Sequence, residues 1–153
     1  MTDAEGYVAR NAAELARMRR LVGDLTDEQL AAPVNEHWTV AAALGHVAFW
    51  DARALYLADW LRTGRAFIAD HHEPDDVDWI NDSYRPLAHA IPPRAAAELA
   101  LRIATETDAR MASLTDEERA KAWPADEGSP LNLLRAAHRA EHLDEIEAAV
   151  RAS

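Results

Sequence analysis

From Ser129 to Ser153 the chain reads SPLNLLRAAHRAEHLDEIEAAVRAS, with no glycine and no further proline behind Pro130. Ser129 is a good N-cap and Pro130 a good first helical residue, so the pattern predicts one helix from there to Ser153. At about 100° per residue, Leu131, Leu134, His138, His142, Glu145 and Ala149 fall in one narrow sector, with Ile146 at its edge. The inward face of this helix is therefore expected to carry two imidazoles. His138 and His142 are four apart, so they lie one turn above the other and can reach one metal ion. Two histidines at that spacing also arise by chance, and a half-buried histidine is commonly just hydrogen-bonded. A third ligand has to decide between the two readings.

Two familiar metal patterns do not apply. The string His138-Arg139-Ala140-Glu141-His142 matches the H-x-x-E-H pattern of inverted zinc proteases, with Glu141 as general base. That pattern needs a third ligand far downstream, and only eleven residues follow His142. Di-iron sites of the ferritin type need E-x-x-H, and no histidine in the chain has Glu three positions before it.

At 153 residues the chain has the length of one domain, and we expect 1–153 to form one. Five glycines, few β-branched residues and an excess of Ala, Leu, Glu and Arg point to an all-α class. No run of about eighteen apolar residues and no basic, apolar leader at Met1 is present, so no membrane span or secretory signal is expected and the expected location is cytoplasmic. With no cysteine, the metal ligands available are His, Asp and Glu, and any thiol chemistry needs a small-molecule thiol. Asp and Glu number 27 against 16 Lys and Arg, a net charge of −11 that argues against nucleic acid as a partner.

In chain order, Tyr7, Val8, Leu15, Met18, Leu21 and Val22 recur at helical spacing and predict a first helix from about Asp3 to Leu25. Thr26 to Gln29 fits a capping box for a short helical turn ending by Pro33. His37 follows in a loop, where it reads as solvated. Thr39 is the expected N-cap of a second long helix and Gly64 its stop. Val40, Ala43, Leu44, Val47, Ala54 and Leu61 define one side of that helix, while Phe49, Tyr56 and Trp60 cluster on the other. The second face needs a cover, either the long following segment or another subunit. His46 lies between the two faces and is the candidate third ligand. His71, His72, Asp75 and Asp76 crowd an irregular stretch and read as solvated. Val77 to Ala90 predicts a short helix packing Trp79, Ile80, Tyr84 and Leu87 beside the bundle. Pro92-Pro93 starts a third long helix through Ala96, Ala100, Ile103, Ala104, Thr107, Met111 and Leu114. Leu114-Thr115-Asp116-Glu117-Glu118 then echoes Leu25-Thr26-Asp27-Glu28-Gln29, which suggests two similar helical hairpins.

These residues resemble the DinB-like superfamily of metal-binding four-helix bundles. Trp38-Thr39 with His46 is similar to its helix-two pattern, W-[ST]-x(6)-H. His138, His142, Glu145 and Ile146 are similar to its helix-four pattern, H-x3-H-x2-[QE]-[IL]. The resemblance spans nearly the whole chain, including the long connection between the second and third long helices. It implies a bundle with His46, His138 and His142 on one divalent ion, a homodimer in many members, and thiol-transfer chemistry in some. Glu145 is often Gln in relatives and here adds negative charge beside the metal.

Three neutral imidazoles leave a divalent ion at least one open position, as in catalytic sites. Water or a thiol bound there would lose its proton near neutral pH, and a thiolate could attack an electrophilic carbon of a second substrate. Glu145, one turn beyond His142, can orient an imidazole, take a proton or join the metal. It can also be a structural acid paired with an arginine. Trp50, one turn after His46, can wall a substrate pocket or belong to the core. Zinc and nickel, and also iron and copper, suit three imidazoles. Metal-dependent thiol S-transfer, metal-dependent hydrolysis and metal binding without turnover all remain open at this point. An open pocket over the three histidines would favour catalysis, and a fourth side chain closing it would favour a structural ion.

Overall fold

The computed structural model describes residues 3–153. Four long helices carry the architecture: α1 (Asp3–Asp24), α3 (Val40–Arg62), α5 (Pro93–Ala112) and α7 (Ala136–Ala152). The shorter α2 (Asp27–Ala31), α4 (Asp78–Ala90) and α6 (Asp116–Arg119) connect them. Side-chain caps place three of the helix starts. Thr26 and Thr115 each form a full capping box, with Gln29 and Glu118, and Thr39 Oγ1 accepts from Ala42 N at 3.1 Å. Such a cap contributes about 1 kcal/mol to the helix it starts. At the far end of α3, Gly64 takes a φ of 75°, the left-handed turn that lets the chain leave a helix without a Cβ penalty.

The bundle closes as a ring in which α1 and α3 each pack on both α5 and α7, while α4 lies against α3. The consecutive helices α1 and α3 therefore sit across the bundle, not side by side as the hairpin reading suggested. Small residues decide the tightest contact. Ala96, Ala97, Ala100 and Ala104 of α5 are fully buried, and Ala41, Ala43 and Ala48 of α3 belong to the same cluster, so the two backbones can approach closely.

Two apolar clusters fill the interior. One gathers Met18, Leu30, Leu44, Leu143 and Ile146, the other Tyr7, Leu57, Met111, Leu131 and Leu133. On every long helix a polar residue falls between the two: Asn11 on α1, Asp51 on α3, Thr107 and Asp108 on α5, and Arg139 on α7. Arg139, 0 % exposed, donates from Nε to Asp51 Oδ2 at 2.9 Å and grips Asp108 through both Nη atoms at 2.8 and 2.9 Å. Arg135 Nε donates to Asp51 Oδ1 at 2.9 Å, and Thr107 Oγ1 donates to the Asp51 carbonyl. Two guanidinium groups and two carboxylates thus neutralise each other in the middle of the bundle, Arg139 bonded through all three of its nitrogens and Arg135 through Nε alone.

Three expectations from the sequence need correction. The last helix starts at Ala136, not Pro130. Residues 130–135 instead run irregularly beside Trp123, where Trp123 N donates to Leu131 O and Leu133 N to Trp123 O, while Leu131 and Leu133 fill the core. Asn11 of α1 serves the new helix start, accepting from Ala136 N and donating to Leu133 O, both at 2.9 Å. Secondly, the core stripe of α7 is Ala136, Arg139, Leu143 and Ile146, so the histidines flank the core and do not face it. Arginine reads as outward, and its burial here depends on carboxylates contributed by α3 and α5. Thirdly, Trp79 and Leu87 of α4 point outward, at 62 % and 71 % exposure, while Tyr84 turns in against α3.

The aromatic face of α3 is divided. Phe49 stacks on Tyr84 with centroids 4.0 Å apart, and Trp60 Nε1 donates to Ala66 O while its ring meets His71 and the Arg65 guanidinium. The segment after α3 packs against both, although Phe49 keeps 37 % of its surface exposed, and Tyr56 stays exposed.

Candidate metal centre

His46 leaves α3 toward α7, where His138 and His142 stand one turn apart. The three Nε2 atoms converge. His46 Nε2 is 3.1 Å and His142 Nε2 3.2 Å from His138 Nε2, and one nitrogen from each ring lies within 4.8 Å of the other two. Nitrogens bound to one tetrahedral zinc ion at about 2.0–2.1 Å sit only slightly further apart than this. Among the described residues this is the one group of His and acidic side chains gathered tightly enough to hold a metal ion. His71 and His72 do not join it: His71 Nδ1 accepts from Ile68 N in the loop. His37 also stays apart, beside Glu36 on the surface.

The outer hydrogen bonds determine which nitrogen of His46 carries its proton. Trp50 Nε1 can only donate, and it donates to Asn81 Oδ1 at 3.0 Å. That contact orients the Asn81 amide, so Tyr84, 3.1 Å from the same oxygen, must spend its single hydroxyl proton there. Tyr84 therefore accepts from His46 Nδ1 in their short contact. The proton of His46 is thus on Nδ1, and its Nε2 lone pair faces the centre. At His142, Nδ1 lies 3.0 Å from Glu145 Oε2, and a carboxylate there likewise places the proton on Nδ1. Burial of Tyr84 raises its hydroxyl pKa, which keeps it a neutral relay.

His138, shared between the other two, has no such support: its Nδ1 is buried without a hydrogen-bond partner. Burial, followed by the nearby His142, pushes its pKa down to about 2, and the same causes take His46 to about 4. Both rings are neutral at physiological pH, the form a metal requires. A proton on His138 Nε2 could serve at most one of the two facing lone pairs well. A cation satisfies all three, and so offsets the cost of the unpaired Nδ1. The residues present therefore fit a divalent ion.

Among the described residues no side chain closes the site. A cleft of about 450 Å³ lies over the three rings, walled by Trp38, Trp50, Asn81, Arg53 and Arg135, with Glu141 and Glu145 at its edge. Glu145 is bonded to an outer nitrogen of His142 and half exposed, so it is placed as a partner of a ligand. Of the two readings given to Trp50, the cleft wall holds: it lines the cleft, is only half-buried and outside both core clusters, and anchors Asn81. Tyr84 and Asn81 were not found from the sequence, because α4 follows a long irregular segment and its register against α3 has no local signal. Removing the Tyr84 hydroxyl frees His46 to turn. Tyr84→Phe is expected to weaken metal binding about 10–100-fold, the range for outer partners of ligating histidines, while leaving the fold intact. A competition titration with a chromophoric chelator measures this, and an unchanged affinity would show that the ring is held without Tyr84.

A helical bundle with three imidazoles converging beneath an open cleft is the frame of a metal-centre protein. The family model described as DinB superfamily matches residues 11–145, a span that includes all three histidines. The chain belongs to the DinB superfamily. No curated protein and no solved structure matches it.

Among the described residues no helix is long and apolar enough to cross a membrane.

Proposed function

We propose that the protein is a cytoplasmic metal-dependent thiol S-transferase, holding zinc or nickel on His46, His138 and His142. The observation that carries this reading is the open cleft lined by three converging histidines, where a fourth ligand and a second substrate can meet. The ion would supply acidity, lowering the pKa of a thiol that enters the open position.

The chain's own groups would do the rest. Glu145 bonds His142 through one carboxylate oxygen and lines the cleft, where its other oxygen would take the thiol proton. Trp38 and Trp50 wall the cleft and limit water around the sulfur. The sulfur electron pair then forms a bond to the electrophilic carbon of the second substrate, and the bond that breaks there releases its pair to a leaving group or to an adjacent atom that is protonated from solvent. The rival reading, an ion that only braces the bundle, is disfavoured by the absence of a closing ligand among the described residues.

The expectation that the protein is a homodimer is retained as part of the proposal. Tyr56, Trp79 and Leu87 are each more than half exposed and support an apolar contact between copies, which sedimentation would test.

The reaction is tested with cobalt in place of the native ion. A panel of small cellular thiols is expected to include one that adds a sulfur-to-cobalt charge-transfer band, absent in His46→Ala. A panel that leaves the cobalt spectrum unchanged, while the chelated protein melts many degrees lower, would assign the ion to structure instead.

A further inference from the structure

Arg135 is nine-tenths buried, yet most of its hydrogen-bonding capacity is unspent. Its Nε is fixed by Asp51, but Nη1 and Nη2 have no partner among the described residues. Of five guanidinium N–H groups, four are thus free. They are not sealed in protein, since Arg135 lines the same cleft as the three histidines. It immediately precedes α7 with helical backbone angles, three residues before His138 and so about 4.5 Å from it along the helix axis. The other arginine of the cleft is differently employed. Arg53 donates to Pro130 O at 3.2 Å and His71 O at 3.0 Å and faces Glu73 at 3.4 Å, so it clasps two loops.

The acidic groups around the cleft are mostly committed too. Glu73 faces Arg53, Glu145 faces His142, and Asp51 is shared by Arg135 and Arg139, leaving Glu141 at the rim. A buried guanidinium with free, co-planar donors is costly to maintain in a half-closed site unless a ligand completes it. The fork of Nη1 and Nη2 matches the two oxygens of a carboxylate.

We propose that Arg135 receives a carboxylate of the substrate, so that the pocket takes a small organic acid whose reactive carbon lies about one helical turn away, over the Nε2 cluster. The volume of about 450 Å³ suits a molecule of that class. The reaction this serves is the one proposed above, but the binding step does not depend on it.

The test therefore uses metal-free, chelator-treated protein. It is titrated with succinate and with succinamide, the neutral diamide of the same shape, and followed by proton–nitrogen NMR. Succinate is expected to shift the Arg135 Nε–H and the Ala136 amide, with succinamide weaker by about tenfold or more. Arg135→Lys keeps the charge without the fork and is expected to weaken succinate by a similar factor. Should that variant fail to fold, the wild-type comparison of acid with amide decides alone. Equal binding of the two compounds, shifts confined to other surfaces, undiminished binding by folded Arg135→Lys, or binding only after metal is restored would each overturn the proposal. Failure of the cobalt experiment with succinate still bound would remove the thiol reaction and leave the carboxylate subsite standing.

Discussion

Asp51→Ala is expected to lower the free energy of unfolding by about 3–5 kcal/mol, the cost of stranding a buried charge by removing its partner. Asp51 is fully buried and takes one hydrogen bond from Arg135 and one from Arg139, each at 2.9 Å. Without it, two guanidinium groups share the single carboxylate of Asp108, which touches only Arg139. In a domain of this size each kcal/mol is about 2–4 °C, so the melting temperature should fall by on the order of 10 °C. An exposed pair gives the contrast. Breaking Lys121–Glu117, 3.5 Å apart on the surface, should cost under about 1 kcal/mol. Urea unfolding of both variants measures the difference. A cost for Asp51→Ala as small as that of the surface pair would mean that water from the cleft reaches the arginines, and that they do not form a closed polar layer.

His138→Ala is expected to remove metal binding more completely than any outer-shell change, because His138 Nε2 is the atom both other rings approach. The effect should exceed the 10–100-fold loss expected from Tyr84→Phe. Linkage makes it visible in stability. An ion at a hundred times its Kd adds about 2.7 kcal/mol to the folded state, which the wild type should gain and the variant should not. Chelated forms of the two should melt close together, since the substitution deletes a half-buried ring whose buried Nδ1 makes no hydrogen bond. Thermal melts with and without zinc check this, and equal stabilisation of both proteins by the ion would place it elsewhere.

Much of the frame was legible because its signals are local. Thr26, Thr39 and Thr115 cap helices where their side chains reach the next turn, and Pro93 and Gly64 mark a start and a stop by backbone preference alone. The three histidines were legible from spacing and from the resemblance they carry. What escaped depends on partners far apart in sequence. Arg139 is buried only because Asp51 and Asp108 come to it from α3 and α5, and an inward sector drawn through the apolar residues and histidines alone lay about one residue away from the core stripe of α7. The start of α7 moved for a related reason: Leu131 and Leu133 reach the core from an irregular strand-like segment beside Trp123, and the helix N-cap function is supplied by Asn11 of α1. Tyr84 and Asn81, which hold His46 in the tautomer a metal needs, lie 38 and 35 positions along the chain from it and carry no pattern that points there.

One divalent ion on His46, His138 and His142, with a position open to the cleft, underlies all of this chemistry. X-ray absorption on zinc-loaded protein, purified with one equivalent of metal, tests it most directly. Three imidazole nitrogens at about 2.0–2.1 Å are expected, with a solvent oxygen completing the shell, and the imidazole signature should collapse when the same equivalent of zinc is added to His138→Ala. A spectrum with one imidazole or none, or one that His138→Ala leaves unchanged, would contradict it.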